Sequence, residues 1–164
     1  MYFTLVDRIL DLQPGRSIKA VKVLSLGEEY LQEHFPRFPV MPGVLMLEAM
    51  FQASAWLIYE TENYASPFLT LKEARNVKYN DFVQPGQVLT LQSEIQKHDE
   101  RTTTLKAQGM LGEQVAVSAR LVLERGSLAA ASPAHGPLEP YMRRRLREIF
   151  QLIGPLASPP AAGA

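Results

Sequence analysis

Apolar and polar positions alternate through two runs at the start of the chain, residues 2–11 and 16–25. Between them lies Gln13-Pro14-Gly15, a Pro-Gly pair suited to reversing a chain, so the pattern predicts two strands joined by a turn. The rhythm is lost over 26–42, where Gly27, Pro36, Pro39 and Pro42 mark irregular backbone. A helix is predicted over roughly 43–61, started by Pro42, whose missing N–H would have had no partner there. Leu45, Leu47, Met50, Phe51, Ala55, Trp56 and Ile58 surround this helix almost completely with apolar side chains, which marks it as buried. Period-two patterns return at about 68–79, 88–98, 102–111 and 114–124. In the last of these Val115, Val117, Ala119, Leu121 and Leu123 share one face, opposite Ser118, Arg120 and Glu124. Asp99-Glu100 and Gly112-Glu113 suit hairpin turns, and Pro85-Gly86 a further bend. The sum is an α+β domain over 1–125, a mostly antiparallel sheet of about six strands with one long helix laid across it.

From Gly126 the composition shifts to Ala, Ser, Pro and Gly, the signature of a linker over 126–139. A short basic amphipathic helix is expected over 140–153, and a disordered tail over 154–164. Met142, Leu146, Ile149, Phe150 and Ile153 make its apolar stripe, and Arg143, Arg144, Arg145 and Arg147 crowd the other side. The stripe is expected to dock on the protein's own sheet or on a neighbouring subunit. The sharper reading is an arginine contact for an acidic carrier protein or a membrane surface, the membrane being the less favoured.

Charge narrows the function. Lys+Arg and Asp+Glu balance at 17 each, so a broad nucleic-acid footprint is not expected. With no cysteine, disulfides, thiolate metal sites and cysteine nucleophiles are excluded. The opening MYFTLVDRIL carries Asp7 and no basic leader, so it does not read as a signal peptide. Val44–Tyr59 is interrupted by Glu48, Gln52 and Ser54 and is too short for a membrane span. A cytoplasmic location is expected.

The residues richest in chemistry are HFPRFPVMPGVLMLEAMFQ, 34–52. His34 precedes prolines that restrict the backbone and could hold its imidazole in place. Gly43 starts the helix, where free N–H groups and the dipole favour developing negative charge. Glu48 sits on the apolar helix, a setting that suits an acid near neutral pH, and Gln52 follows one turn later as its hydrogen-bonding companion. An elimination beside a thioester carbonyl needs a base, a donor for the enolate-like oxygen and an acid for the departing hydroxyl, and His34, the Gly43 N–H and Glu48 could fill those roles. Met41, Met46 and Met50 read as core fillers, some of them near an acyl channel. His98 and His135 have no chemical neighbours in sequence and read as surface residues.

The order HFP-x-x-P-x-MPGVL-x-x-EA-x-x-Q, with the YFTLVDR opening and the VQPG turn, resembles the β-hydroxyacyl-acyl-carrier-protein dehydratases of the FabZ type over about residues 2–124. The resemblance implies a hot-dog fold, a curled antiparallel sheet wrapped around the central helix, in a homodimer or trimer of dimers. It implies dehydration of β-hydroxyacyl thioesters to trans-2-enoyl products, within fatty acid or related lipid or polyketide synthesis. His34 of one protomer would face Glu48 of its neighbour. Glu rather than Asp resembles the branch that dehydrates without isomerising. Substrate contacts would fall to Phe35, the Gly43 N–H, Val44, Phe51 and Gln52. No metal or other cofactor is implied, the acyl chain arriving on the phosphopantetheine of a carrier protein or on CoA. Phe51 stands where the family usually has a small residue, and Lys78–Phe82 replaces a more basic segment. Alternatives are a thioesterase on the same fold, or a non-catalytic acyl-binding or assembly subunit.

Overall fold

The computed structural model describes residues 3–127 and 136–155. Six strands form one antiparallel sheet: β1 (Arg8–Gln13), β2 (Ser17–Val23), β3 (Phe68–Tyr79), β4 (Val88–His98), β5 (Thr102–Leu111) and β6 (Gln114–Gly126). Their spatial order is β1-β2-β4-β5-β6-β3, so β1 and β3 are the edges. Between β2 and β3 the chain makes a 3-10 turn (Glu29–Gln32) and then the helix α1 (Gly43–Thr61). A second helix, α2 (Leu138–Ile153), follows the sheet.

Register breaks at Ile9/Asp11, Leu71/Glu73, Arg75/Lys78, Ile95/Lys97 and Gly109/Met110 recur across the sheet. Extra residues at such breaks bend a strand and raise its twist, and so curl the sheet around α1. The helix meets β2, β4, β5 and β6 on the concave side. Met46, Ala49, Met50, Ala53, Leu57 and Ile58 are buried there against Leu89, Leu91, Leu105, Ala107, Leu121 and Leu123. One polar bond crosses this core: Ser54 and Ser93 hydroxyls meet at 2.8 Å, while Ser54 Oγ also donates to Met50 O. A buried hydroxyl without such partners would be costly, so the pair fixes the seat of α1 on β4.

Several boundaries differ from the pattern-based expectation. The first strand begins at Arg8, not residue 2, because the N–H of Leu5 is taken by a side chain of α1 and not by a neighbouring strand. The second spans 17–23, within the expected 16–25. The irregular 26–42 contains the 3-10 turn. In β6 the even alternation starts only at Val117: the break opposite Gly109/Met110 inserts Ala116, which is buried, and leaves Val115 half-buried. β6 continues to Gly126, and α2 starts two residues before 140, with Pro140 in the first turn where its absent N–H costs nothing. The expected linker thus loses its two ends to these elements. Its residues 128–135, with His135, and the tail 156–164 lie outside the described residues.

The apolar stripe of α2 docks within the chain, on the end of α1 and the loop after it. Leu146, Ile149, Phe150 and Ile153 pack on the core, and Phe150 lies 6.0 Å, ring to ring, from Trp56. Arg143 donates to Ala65 O at 3.0 Å, and Arg147 to Asn63 O and Oδ1 while its guanidinium covers the Tyr64 ring.

Candidate active site

A pocket of about 350 Å3 opens at the N-terminal end of α1, lined by His34, Phe35, Val40, Met41, Gly43, Met46 and the run Tyr79–Phe82. The chain before α1 is held at both ends. His34 N–H donates to Tyr30 O (3.2 Å), and Met41 N–H to Val83 O (2.8 Å), with Pro36 and Pro39 stiffening what lies between. Within that frame His34 Nδ1 is 2.9 Å from Val40 O. A carbonyl only accepts, so Nδ1 carries the proton in the neutral ring and Nε2 keeps a lone pair. Phe35 has φ +53°, in the left-handed region, and its ring meets the imidazole edge-on at 4.6 Å.

Intrahelical bonding in α1 begins with the N–H groups of Leu45 and Met46 on Pro42 O, so the amides of Gly43 and Val44 precede it. No side chain caps this end. The lack of a side chain at 43 is a packing requirement: a Cβ there would lie 3.0–3.3 Å from the Tyr79 ring. Tyr79 is half exposed over the helix start, and burial raises its pKa.

Glu48 lies off the pocket lining, half-buried on the α1 face that also carries Val44, Phe51 and Gln52. Gln52 Nε2 donates to Glu48 Oε1 (2.9 Å) and to Phe3 O (3.0 Å), while its Oε1 accepts Leu5 N–H (2.8 Å). One chain therefore brings together His34, Phe35 and Gly43, and sets Glu48, Gln52 and Phe51 one face away. Val44 is 69% exposed. Met41 and Met46 fill the core and line the pocket, and Met50 is core alone.

His98 is exposed, as expected from sequence, but it has neighbours in space. Its Nδ1 is 2.9 Å from Thr103 Oγ1, and its Nε2 is 3.6 Å from Glu62, which Arg125 grips through Nε (2.5 Å) and Nη2. Glu62 and Arg125 are 36 and 27 residues from His98, beyond the reach of local sequence patterns.

A curled antiparallel sheet wrapped around one central helix, with an imidazole fixed at the helix start and a carboxylate further along it, defines a protein of the hot-dog fold. Residues 1–120 match the FabA-like domain. The chain is 40% identical over 116 residues to a 3-hydroxyacyl-acyl-carrier-protein dehydratase FabZ of Levilactobacillus brevis, covering 71% of this chain and 78% of that protein. The FabZ of Variovorax paradoxus is 38% identical over 126 residues, with 73% and 82% covered. Among solved structures, the dehydratase heterocomplex ApeI:P of Xenorhabdus doucetiae superposes with a TM-score of 0.65 at 19% identity, over 77% of this chain and 85% of that one, a likeness of fold. The chain belongs to the FabZ-type 3-hydroxyacyl-acyl-carrier-protein dehydratases of the FabA-like family. It is a hydro-lyase of fatty acid biosynthesis. Among the described residues no helix is long and apolar enough to cross a membrane.

Proposed function

We propose that His34 is the base and Glu48 of the partner subunit the acid in dehydration of a 3-hydroxyacyl chain carried on acyl carrier protein. Nε2 of His34 removes the proton from the carbon beside the thioester carbonyl. The Gly43 N–H, at the positive end of α1, holds the oxygen on which charge gathers. Glu48 protonates the departing hydroxyl, which leaves as water, and the electron pair closes the trans-2 double bond. Gln52 keeps the Glu48 carboxyl aimed, while Phe35, Val44 and Phe51 touch the acyl arm. Acid–base groups suffice for this reaction, so no metal or redox cofactor is assigned. The phosphopantetheine arm arrives with the carrier, and CoA is the alternative carrier. With a glutamate as the acid, the product leaves without isomerisation.

The observation that carries this reading is the Nδ1–Val40 bond, which leaves a basic nitrogen at a pocket whose wall is the start of α1. The shared site is supported by the α1 face of Val44, Glu48 and Phe51, which is only partly covered within one chain and suits a second copy. The assembly is a homodimer, alone or as a trimer of dimers, in the cytoplasm.

Mixing two inactive variants tests it. His34→Ala and Glu48→Gln chains, allowed to exchange subunits, should recover about a quarter of wild-type turnover, since each mixed dimer holds one intact pair. No recovery, despite exchange shown by mass spectrometry, would place both groups in one chain or remove one of them from the reaction.

A further inference from the structure

The inward row of β2, continued into the following residue, is Ile18, Ala20, Lys22 and Leu24, each no more than 3% exposed. Three of these side chains are apolar and the fourth is an ammonium. A lysine so deeply enclosed persists only with close partners. Lys22 Nζ lies 2.5 Å from Glu28 Oε1 and 3.6 Å from Asp7 Oδ2.

Each partner leads to one of the two groups assigned to the reaction. Glu28 directly precedes the 3-10 turn: its carbonyl accepts Leu31 N–H (3.1 Å), and one residue before Leu31, Tyr30 O accepts the N–H of His34. The Tyr30 hydroxyl is enclosed in the same place, its pKa pushed up by burial first, then by Glu28 and Asp7. On the other branch, Asp7 Oδ2 accepts Val23 N–H (2.6 Å) and Asp7 N–H donates to Val21 O (2.9 Å), which pins the N-terminal segment to β2. That segment presents Leu5 N–H and Phe3 O to Gln52, and Gln52 holds Glu48.

We infer that Lys22 is a positioning residue for both catalytic groups, fixing through Glu28 the turn that carries His34 and through Asp7 the segment that steadies Gln52 and Glu48. The inference rests on the roles proposed above for His34 and Glu48. Stability alone is a poor reason for the cluster, because apolar side chains in place of a buried ion pair are often neutral or stabilising. An ammonium with three donors can bind two separate segments at once, which no apolar side chain does. The signal was present in the sequence as a lysine in step with Ile18, Ala20 and Leu24 on a period-two strand.

The test uses the full chain carrying Lys22→Met with Glu28→Gln, which leaves no unpaired charge beside the core because Asp7 is 43% exposed. Folding is followed by circular dichroism and Tm, turnover by enoyl absorbance on a 3-hydroxyacyl thioester, and His34 by its Nδ1–H signal in 15N NMR. The chain has three histidines, so His34→Ala identifies that signal. The expected result is kcat lower by about tenfold or more, KM changed by less than about threefold, and a weakened Nδ1–H signal. Should the double variant not fold, Glu28→Gln alone is measured, since the amide oxygen can still accept from Lys22, while Asp7, 3.6 Å from Nζ, keeps the ammonium paired; it should show the same split with a smaller loss. Folded variants with kcat within about twofold of wild type and an unchanged signal overturn the inference. His34→Ala and Glu48→Gln run in parallel. If either is fully active the site assignment has failed, whereas if both are inactive beside fully active Lys22 variants, only the positioning role has failed.

Discussion

The two ends of α1 are built on opposite terms. At Gly43 the helix opens with unused amides, no side-chain cap and a pocket alongside. At Thr61 the helix end is tied down: Glu62 N–H bonds Ile58 O, Tyr64 N–H bonds Tyr59 O, and the two tyrosine rings stack with centroids 6.1 Å apart. Burial lifts the Tyr59 pKa to about 12 and also raises that of Tyr64, whose hydroxyl donates to Glu60. Arginines of α2 then bond the carbonyls of Asn63 and Ala65, placing positive charge where the helix dipole is negative. The same helix is thus chemically open at one end and closed at the other. On the proposed mechanism, reactivity comes from valences the fold leaves unfilled at one terminus, and stability from filling them at the other.

That contrast can be broken from either side. The largest effect belongs to the open end: His34→Ala or Glu48→Gln should lower kcat by about 10²–10⁴ with Tm nearly unchanged, as read by enoyl absorbance and calorimetry. A smaller loss, about tenfold in kcat, is expected for Gly43→Ala, whose methyl must push aside the Tyr79 ring or tilt the helix start. Adding Tyr79→Ala should restore part of that rate; equal loss in the single and double variants would show that the ring is not the obstacle. At the closed end Phe150→Ala should cost about 1–3 kcal/mol by urea unfolding, because a half-buried ring is lost from Trp56. Its kcat should stay at the wild-type value, and a parallel fall in kcat would mean that the two ends are coupled. The smallest effect concerns Asp99, near the closed end beside Glu62 and Ala65. Backbone N–H bonds, from Thr102 first, lower its pKa to about 2. A depressed folded-state pKa gives stability that is present above the usual carboxylate range and lost as pH falls toward 2. The Tm gap between wild type and Asp99→Asn should therefore narrow below about pH 4 and close near pH 2; a gap that persists at pH 2 would assign the effect to packing.

Much of this architecture was written locally. α1 could be bounded from Pro42 and an almost wholly apolar surface, and β3, β4 and β5 from alternation between turn residues, because each of these signals acts within a few residues. The N-terminal strand is shorter than its pattern predicts because Leu5 and Val6 are apolar for another reason: they enter the core while the Leu5 amide is taken by Gln52, 47 positions on. The 3-10 turn was invisible for a similar reason, its Glu28 being held by Lys22 and not by any capping side chain. The motif at 34–52 named His34, Gly43 and Glu48, and the fold explains part of the set: a single chain gathers the first two, while Glu48 sits one helix face away. The Glu62–His98–Arg125 cluster had no local trace at all.

The left-handed backbone at Phe35 has one more consequence, for anyone who would make this enzyme hardier. A bulky residue in that conformation costs about 1–2 kcal/mol that a glycine would not. A screen scored on melting temperature alone would therefore drift toward glycine at position 35. The winners would outlast the natural chain in hot buffer while lacking the ring that stands against the imidazole. On the roles proposed for His34 and Phe35, durability and catalysis pull in opposite directions at that residue, so a library built for robustness should hold it fixed.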